Sequence, residues 1–351
     1  MPNLCRNMGL AGLAGIVSAA LFVLSLKDPN LSAIGLLTAP VPLAMAGFAF
    51  SFTGLVIAAV TGILAAVPLS SPAAAVFYVI SSVLPTMLLT GLCLKNRKNE
   101  NGEAVWYPIG YALSWTSVVT ALLMTFILFV ILFFYAVQLS LSQSAEPVIE
   151  ETVAAVSENF FSGMNLQDSV LKFLTEALSP TLSVVAPDNY GEILKHLAAG
   201  FIASMSISWL CVIMFAAWVA ESILVRFGSA LRKNPEYVPM YVQNWLLVLV
   251  AMTGIVAGTA SSENVRYLAS NFTIAISLPF CLLGLTQIHV WARSVPYTKV
   301  ILVVFYVLLS LPLLVGIGLA EVLCVLAVIG LYEQFVRIYK RYIRHLENGE
   351  K

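Results

Sequence analysis

Charged and metal-ligating residues are scarce in this chain. Only 10% of its 351 residues are Asp, Glu, Lys or Arg, whereas a soluble domain contains about 25%. The five cysteines form no Cys-x-x-Cys pair and the three histidines stand far apart, so the sequence predicts neither a disulfide framework nor a metal site. It also contains no phosphate-binding glycine loop and no standard catalytic motif. We therefore expect no cofactor, no bound metal, no ATPase of its own and no enzymatic activity.

Apolar sequence is abundant instead. Hydrophobic residues make up 60% of the chain, and they occur as long runs separated by short charged gaps. A helix needs about 20 mainly apolar residues to cross a bilayer, because its backbone polar groups must be satisfied within the segment. The sequence therefore predicts an all-α membrane protein, a polytopic helical bundle of about ten transmembrane helices. The predicted spans are 8–26, 31–48, 50–67, 72–94, 107–138, 197–225, 241–260, 267–291, 299–314 and 316–336.

Basic residues fall in alternate gaps between the predicted spans. All but four of the 18 Lys and Arg residues lie in the N-terminal segment, in 95–106, 226–240 and 292–299, or in the tail. Because cytoplasmic loops are rich in Lys and Arg, we expect these gaps and both termini to be cytoplasmic. If residues 31–39 form a re-entrant piece instead of part of a span, the N-terminus lies outside. Both interpretations stay open.

One long segment, 139–196, is too acidic to cross the membrane. Its apolar residues recur with helical spacing, which predicts two amphipathic helices on the external side. Asn165 and Asp168 have the spacing of a helix N-cap and its N3 partner. The predicted organisation is N-terminal membrane helices in 1–138, an extracytoplasmic amphipathic insertion in 139–196, C-terminal membrane helices in 197–336 and a basic cytoplasmic tail in 337–351.

Polar residues inside the predicted spans are the candidates for a solute or proton site, because burying them in a bilayer is costly. Glu321 lies in the last span beside small residues, and it either contacts a solute or proton or is a buried structural carboxyl group. Pro40 and Pro42 interrupt a span, which indicates either a discontinuous helix at a binding site or an ordinary kink. Gln287 and His289 share one face of the eighth span, where they either line a vestibule or anchor the helix at the interface.

Glu221 is a second carboxylate within a predicted span. It lies about a turn and a half before Arg226, at the cytoplasmic end of the sixth span. A long charged side chain near a helix end reaches the interface by snorkelling. We therefore expect Glu221 to contact water or to pair with Arg226 rather than to take part in binding.

Two further patterns concern helix surfaces. Small residues recur every four positions on the first and third spans, which indicates close packing of backbones within the chain or against a second protein. These residues are Ala11, Gly15 and Ala19, and Gly54, Ala58 and Gly62. Four basic residues of the tail share one helical face and are expected to bind anionic lipid headgroups along the inner leaflet. They are Arg337, Lys340, Arg341 and Arg344.

Several short motifs occur in an order typical of one family. They are Pro40-Val41-Pro42-Leu43, Trp106-Tyr107-Pro108-Ile109-Gly110, Asn234-Pro235-Glu236-Tyr237 and Ile288-His289-Val290-Trp291. In these motifs the chain resembles the YybS-like family of bacterial polytopic membrane proteins, and the resemblance extends over most of its length. That family is distantly similar to the substrate-binding membrane subunits of energy-coupling-factor transporters. The resemblance implies a protein of the bacterial cytoplasmic (inner) membrane and a solute-binding helical bundle.

Two functions are compatible with these features. The first is a transporter-like bundle that binds a small solute and has no ATPase of its own. The second is a non-transporting scaffold or assembly factor that acts through helix–helix contacts with other membrane proteins. The balanced net charge gives no argument for a nucleic-acid partner. The expected partners are therefore membrane lipids, together with either a small solute or other membrane proteins, and a cavity with converging polar groups would favour the solute.

Overall fold

The chain is an all-α membrane protein. A computed structural model describes residues 2–28, 30–98, 104–143, 165–185, 189–232, 240–315 and 319–349. Within these residues, seven helices are long and apolar enough to cross a membrane, and two shorter apolar helices accompany them. The seven are Arg6–Lys27, Ser32–Leu69, Pro72–Cys93, Ile109–Ser142, Phe201–Arg226, Glu263–Arg293 and Val322–Arg341, and the shorter two are Asn244–Thr259 and Thr298–Leu309.

Helices make up nearly all of the described secondary structure. The N-terminal elements are α1 (Pro2–Lys27), α2 (Ser32–Thr38), α3 (Pro40–Leu69), α4 (Pro72–Tyr78), a π-helix (Val79–Val83), α5 (Leu84–Cys93), the strands β1 (Asn96–Lys98) and β2 (Ala104–Trp106), and α6 (Ile109–Gln143). The others are α7 (Leu166–Val185), α8 (Tyr190–Ala199), α9 (Phe201–Arg226), α10 (Asn244–Thr259), α11 (Glu263–Ile276), α12 (Leu278–Arg293), α13 (Thr298–Val315) and α14 (Leu319–Gly349). The two strands pair antiparallel.

Residue contacts divide the chain into two compact units. The first unit comprises Met1–Thr116, Trp209–Gln243 and Pro279–Lys351, and the second comprises Ser117–Ser208 and Asn244–Leu278. The boundaries predicted from the sequence, near residues 138 and 196, separate membrane spans from the insertion. They therefore describe a different division from the two units, which are defined by residue contacts. Residues 144–164 of the predicted insertion lie outside the described residues.

The chain reverses direction inside α3. Phe50 (φ −124°, ψ 16°) and Ser51 (φ 70°, ψ −174°) have non-helical backbone angles. Residues eight positions apart in a straight helix are separated by about 12 Å. Here, however, the Ala46 carbonyl oxygen lies 2.9 Å from the position that a Cβ atom on Gly54 would occupy. The two halves of α3 therefore run side by side as a helical hairpin, and the missing side chain of Gly54 allows their close contact.

Helix α1 packs along this hairpin in the first unit. The Ser18 hydroxyl donates a hydrogen bond to the Ala39 carbonyl oxygen (2.5 Å), and the Tyr78 hydroxyl donates to Ser18 Oγ (2.8 Å). Near the other end of α1, Lys27 Nζ donates to the Leu69 carbonyl oxygen (3.0 Å). The buried apolar core around these bonds includes Phe22, Leu43, Leu55 and Val83. Side-chain bonds to backbone carbonyls thus connect helices that also share an apolar core.

Helices α7 and α8 of the second unit bury one apolar face each. Leu166, Val170 and Leu174 recur every four residues on α7 and are buried together with Leu194 of α8. The same core contains Leu128 and Leu132 of α6, and Ile202 and Tyr267. The amphipathic pattern of this part of the insertion is therefore satisfied by packing within the protein.

The last helix includes much of the predicted tail. α14 has 31 residues, so it is about 46 Å long at 1.5 Å per residue. The described tail residues continue the helix of the last span instead of forming a separate helix. Gly330 of α14 meets the Phe280 carbonyl group of α12 so closely that a Cβ atom would overlap it. Residues 316–318, between α13 and α14, lie outside the described residues.

Candidate functional site

The two small-residue stripes pack against each other. Gly15 of α1 faces the Ala58 carbonyl group so closely that a Cβ atom would overlap it. A Cβ atom on Gly62 would lie 2.9 Å from the Gly15 carbonyl oxygen. Ala11, Ala19 and Ala58 are fully buried. The stripes therefore join helices of this chain. Packing within the chain is one of the two possibilities that the sequence left open.

The helix break does not occur at the predicted prolines. Pro40 begins α3 and Pro42 lies in its first turn, where a missing N–H group costs no helical hydrogen bond. Ala39 has helical angles (φ −54°, ψ −39°), and its N–H donates to the Gly35 carbonyl oxygen (2.8 Å). The discontinuity occurs at Ser51 instead. Neither proline belongs to the lining of the two cavities described next.

A polar cavity of about 500 Å³ lies in the second unit. Its volume is within the range of ligand pockets, roughly 300–1,000 Å³. Its lining comes from the start of α7, the end of α8 and the first turns of α11, and includes Asn165, Asp168, Glu263, Arg266, Tyr267 and Asn271. A larger cavity of about 900 Å³ in the first unit is lined mainly by apolar side chains. The smaller cavity is therefore the candidate solute site, because polar groups converge on it.

The start of α7 forms one wall of the polar cavity. Asn165 Oδ1 accepts a hydrogen bond from the Asp168 backbone N–H (3.3 Å), which confirms the predicted N-cap. Asn165 Nδ2 donates to the Glu263 carboxylate (2.9 Å). In addition, the Leu166 N–H donates to Asn264 Oδ1 (2.8 Å). These bonds attach the start of α7 to the start of α11.

Asn271 and Tyr267 form the buried floor of the cavity. Asn271 is 1% exposed. Its Nδ2 donates to the carbonyl oxygens of Ala199 (2.9 Å) and Tyr267 (3.0 Å), and its Oδ1 accepts from the Ala203 N–H (3.0 Å). The Tyr267 hydroxyl donates to the Ala198 carbonyl oxygen (2.8 Å). Since helix ends leave backbone groups unpaired, these two side chains satisfy the end of α8 and the start of α9.

Charged groups surround the open side of the cavity. Asp168, Glu263 and Arg266 are all exposed. Arg266 Nη2 donates to the Ala260 carbonyl oxygen (3.1 Å), and in the described part of the chain no ion pair joins Arg266 to either carboxylate. The cavity therefore offers a guanidinium group for an anion and two carboxylates for a cation. Charge-assisted hydrogen bonds of both signs are the chemistry that recognises a small zwitterionic solute.

His289 and Gln287 belong to the first unit and are not part of the lining of the polar cavity. His289 Nδ1 is 2.8 Å from the Leu285 carbonyl oxygen, and its Nε2 is 3.2 Å from the Tyr306 hydroxyl. Gln287 is partly exposed on the same helix. His289 thus connects α12 to α13. This contact gives a structural reason for a polar side chain at this position of the helix.

Two of the predicted lipid-binding cations contact protein groups. Arg337 Nε pairs with a glutamate one turn earlier (2.7 Å), and Arg337 Nη1 donates to the Met240 carbonyl oxygen. Arg341 Nη1 donates to the Tyr241 hydroxyl (3.1 Å), and the guanidinium carbon lies 4.6 Å from the centroid of that ring. Lys340 is exposed. It is therefore the described cation of this set that is most available to lipid headgroups.

Two predicted site residues, Glu321 and Arg344, have side chains outside the described part of the structure. The residues that line the polar cavity were missing from the predicted site. A signal for them exists in the sequence, because Glu263, Tyr267 and Asn271 recur every four residues where an apolar run begins. That spacing places them on one helical face.

Metal ligation has no candidate set in the described part of the chain. No group of three or more His, Cys, Asp and Glu side chains there could hold a metal ion. The two carboxylates of the polar cavity, Asp168 and Glu263, are accompanied by amides and a guanidinium instead.

Comparisons with protein-family models, with curated proteins and with solved structures find no match to this chain.

Proposed function

We propose that this protein is a transporter-like membrane protein that binds a small polar solute in the cavity between α7, α8 and α11. The observation that carries the proposal is the cavity of about 500 Å³ with polar groups converging on it. Hydrogen bonds hold its Asn165 and Asn271 side chains in place, so the wall and floor of the cavity are preorganised. Its separated charges match a solute that carries both an ammonium and a carboxylate group, such as an amino acid.

The same proposal includes about ten membrane crossings. The hairpin within α3 supplies two of them, since its halves run in opposite directions. Helices α10 and α13 supply one each, because their 16 and 18 residues extend for about 24 and 27 Å, close to the thickness of the hydrocarbon core. The other six long apolar helices supply the rest.

The proposed topology has both termini in the cytoplasm of a bacterial cell and the polar cavity on the outside. The residues that line the cavity lie either in segments that the basic residues assign to the outside, 139–196 and 261–266, or at the adjacent outer ends of the predicted spans 197–225 and 267–291. Two bonds within the first unit, between segment ends that are predicted to be cytoplasmic, support the assignment as well. The Leu231 N–H donates to the Phe48 carbonyl oxygen (2.9 Å), and Arg232 Nη1 donates to the Cys93 carbonyl oxygen (2.9 Å), and all four residues lie at predicted cytoplasmic ends.

Single cysteines test this topology in a background that lacks the native cysteines. Lys98→Cys and Glu192→Cys place thiols at exposed positions of β1 and α8. A membrane-impermeant maleimide added to intact cells should label Glu192→Cys and should label Lys98→Cys only after lysis. Equal labelling of both variants in intact cells would contradict the proposed orientation.

The scaffold alternative has less support. It requires small-residue faces that are free to meet other membrane proteins, yet Gly15 and Gly62 contact each other's helices within this chain. A catalytic function has less support too. Ser270 is a potential nucleophile in the cavity, but its described lining contains no histidine or lysine that would activate a hydroxyl. We therefore propose binding without catalysis.

Ligand binding can be tested on the purified full chain in detergent. The probes are the individual amino acids, their decarboxylated amines and their deaminated acids, and the readout is the rise in unfolding temperature. A zwitterion should stabilise the wild type, whereas Arg266→Gln and Asp168→Asn should each weaken its binding about tenfold, equivalent to about 1.4 kcal/mol. Lys195→Gln is the matched control, because Lys195 is exposed on α8 and is not part of the lining. Stabilisation that is equal in wild type and Arg266→Gln would contradict the proposed site.

A further inference from the structure

Glu221 of α9 is a carboxylate in the interior of the first unit. It is 6% exposed, and its Oε1 has no hydrogen-bond partner in the described part of the chain. The sequence predicted snorkelling or an ion pair with Arg226. Arg226 is exposed, however, and among the described residues no ion pair joins it to Glu221. The side chain of Glu221 is therefore directed into the protein rather than to the membrane interface.

The titratable neighbours that interact electrostatically with Glu221 are Cys93 of α5 and Arg232 in the segment after α9. Trp209 Nε1 donates to the Ser81 carbonyl oxygen (2.5 Å), so α9 contacts the π-helix at this point. Arg232 is 7% exposed and donates from Nη1 to the Cys93 carbonyl oxygen (2.9 Å).

Two opposing effects act on the Glu221 carboxyl group. An ionised carboxylate that is buried without a close partner is costly, because it has lost its hydration. This effect favours the protonated form. The guanidinium group of Arg232 attracts the ionised form, and among the described residues no ion pair joins the two side chains. The two effects act in opposite directions, and a group that exchanges a proton requires both forms.

Unpaired hydroxyl groups lie on the helix that brings Cys93 to Glu221. Ser82, Thr86 and Thr90 recur every four residues, each is at most 1% exposed, and their hydroxyl oxygens have no hydrogen-bond partner in the described part of the chain. Their series begins in the π-helix, and π-helical turns occur often at functional sites. These hydroxyls can donate and accept hydrogen bonds along the interior of the first unit.

We propose that Glu221 is a proton-binding site with two states. In one state its carboxyl group carries a proton, and in the other the ionised carboxylate is attracted by Arg232. The proposal does not rest on the polar cavity, which belongs to the second unit. It assigns a role to a buried carboxylate that the sequence pattern had explained as an interfacial side chain.

Dicyclohexylcarbodiimide tests this proposal, because this apolar reagent modifies carboxyl groups that are protonated. The full chain in detergent is treated over a series of pH values, and the adduct on each peptide is quantified by mass spectrometry. Glu221 should be labelled, and its labelling rate should fall roughly tenfold per pH unit above the midpoint of its titration. Glu333, which is paired with Arg337 at 2.7 Å, is the internal control and should remain unlabelled.

Arginine variants separate titration from simple burial. Arg232→Gln removes the positive charge that favours the carboxylate, so the labelling midpoint should move to higher pH. Arg226→Gln on the same helix end is the matched control and should leave the midpoint nearly unchanged. If Arg232→Gln does not fold, the wild-type pH profile and Arg232→Lys, which keeps the charge, decide the proposal. Absent labelling of Glu221, labelling that does not change with pH, or labelling that is suppressed by Na⁺ relative to choline would overturn the proton site.

Discussion

The two units build their helix contacts from side chains of very different size. In the first unit, α1 meets the α3 hairpin through Gly15, Ala58 and Gly62, so that backbone atoms of the two helices are in direct contact. In the second unit, α6, α7 and α8 meet through leucines such as Leu132 and Leu174. Small residues allow close approach of backbones in a membrane, where packing rather than the hydrophobic effect drives association. Large residues hold helices apart.

This difference in size explains where a polar cavity is possible. Along α1 and α3 small residues bring backbone atoms into contact, and the buried Ser18 hydroxyl bonds to Tyr78 of α4. At the end of the leucine-rich core, space remains between α7, α8 and α11, and polar side chains line it. A solute site therefore coexists with tightly packed helices because the two are built in different parts of the chain.

The largest expected effect is the insertion of a side chain into the backbone contact of the first unit. Gly15→Leu requires a Cβ atom where the Ala58 carbonyl group already lies, so the helices must separate. Overpacking of this kind costs typically 1–3 kcal/mol and occasionally more, and we expect about 3 kcal/mol or more. Thermal unfolding of the purified protein in detergent, followed by circular dichroism, measures the loss.

Gly9→Leu is the matched control for this substitution. Gly9 lies on the same helix, and nothing is within 4 Å of the position that its Cβ atom would occupy. The control should be neutral or slightly stabilising. In a helix leucine is more favourable than glycine by somewhat less than about 1 kcal/mol. Similar losses in both variants would show that the close contact of α1 with α3 is not what stabilises the first unit.

A smaller effect is expected from the buried amide of the second unit. Asn271→Leu removes three hydrogen bonds and leaves backbone groups of Ala199 and Ala203 without this partner. Unsatisfied buried groups cost about 1–3 kcal/mol, and we expect a loss of about 2 kcal/mol together with a loss of solute binding. Thr273→Val is the control, because the Thr273 hydroxyl donates to the Ala269 carbonyl oxygen of its own helix. A stable variant that still binds solute would remove Asn271 from the cavity floor.

The smallest effects compare one buried phenol hydroxyl in each unit. Tyr267→Phe leaves the Ala198 carbonyl oxygen at a helix end without its donor, and we expect a loss of about 1 kcal/mol. Tyr78→Phe should cost less, about 0.6 kcal/mol or below, because Ser18 keeps its bond to the Ala39 carbonyl oxygen. Unfolding of both variants under identical conditions gives the difference. A larger loss for Tyr78→Phe would reverse the expected order of the two units.

Local features near the polar cavity could be predicted from the sequence, but the cavity itself could not. The N-cap formed by Asn165 depends on residues three positions apart, and the predicted hydrogen bond is present. The partners of that cap, Glu263 and Asn264, are almost a hundred positions away. No local pattern encodes that separation. The sequence therefore indicated a helix start there, while the site that it forms depends on how α7 and α11 pack.

The reversal in α3 shows a similar limit. Proline suggested a break at Pro40 and Pro42, but a proline in the first turn of a helix is compatible with helical continuation. The chain turns instead at Ser51, whose positive φ is unusual for a residue with a side chain. The close contact between Ala46 and Gly54 accompanies this conformation, and a local cost of about 1–3 kcal/mol persists only where the surrounding structure compensates for it.

The class of this protein follows from its sequence, because a bilayer leaves few choices to an apolar chain. Backbone groups must be paired within each segment, so long apolar runs become helices wherever they pack. Whether a given polar side chain is buried or exposed depends instead on how the helices pack. Glu221 and Arg226 lie on one helix end, yet one is buried beside Arg232 and the other is exposed. Their local sequences do not distinguish them, since burial at this helix end depends on how other parts of the chain pack against it.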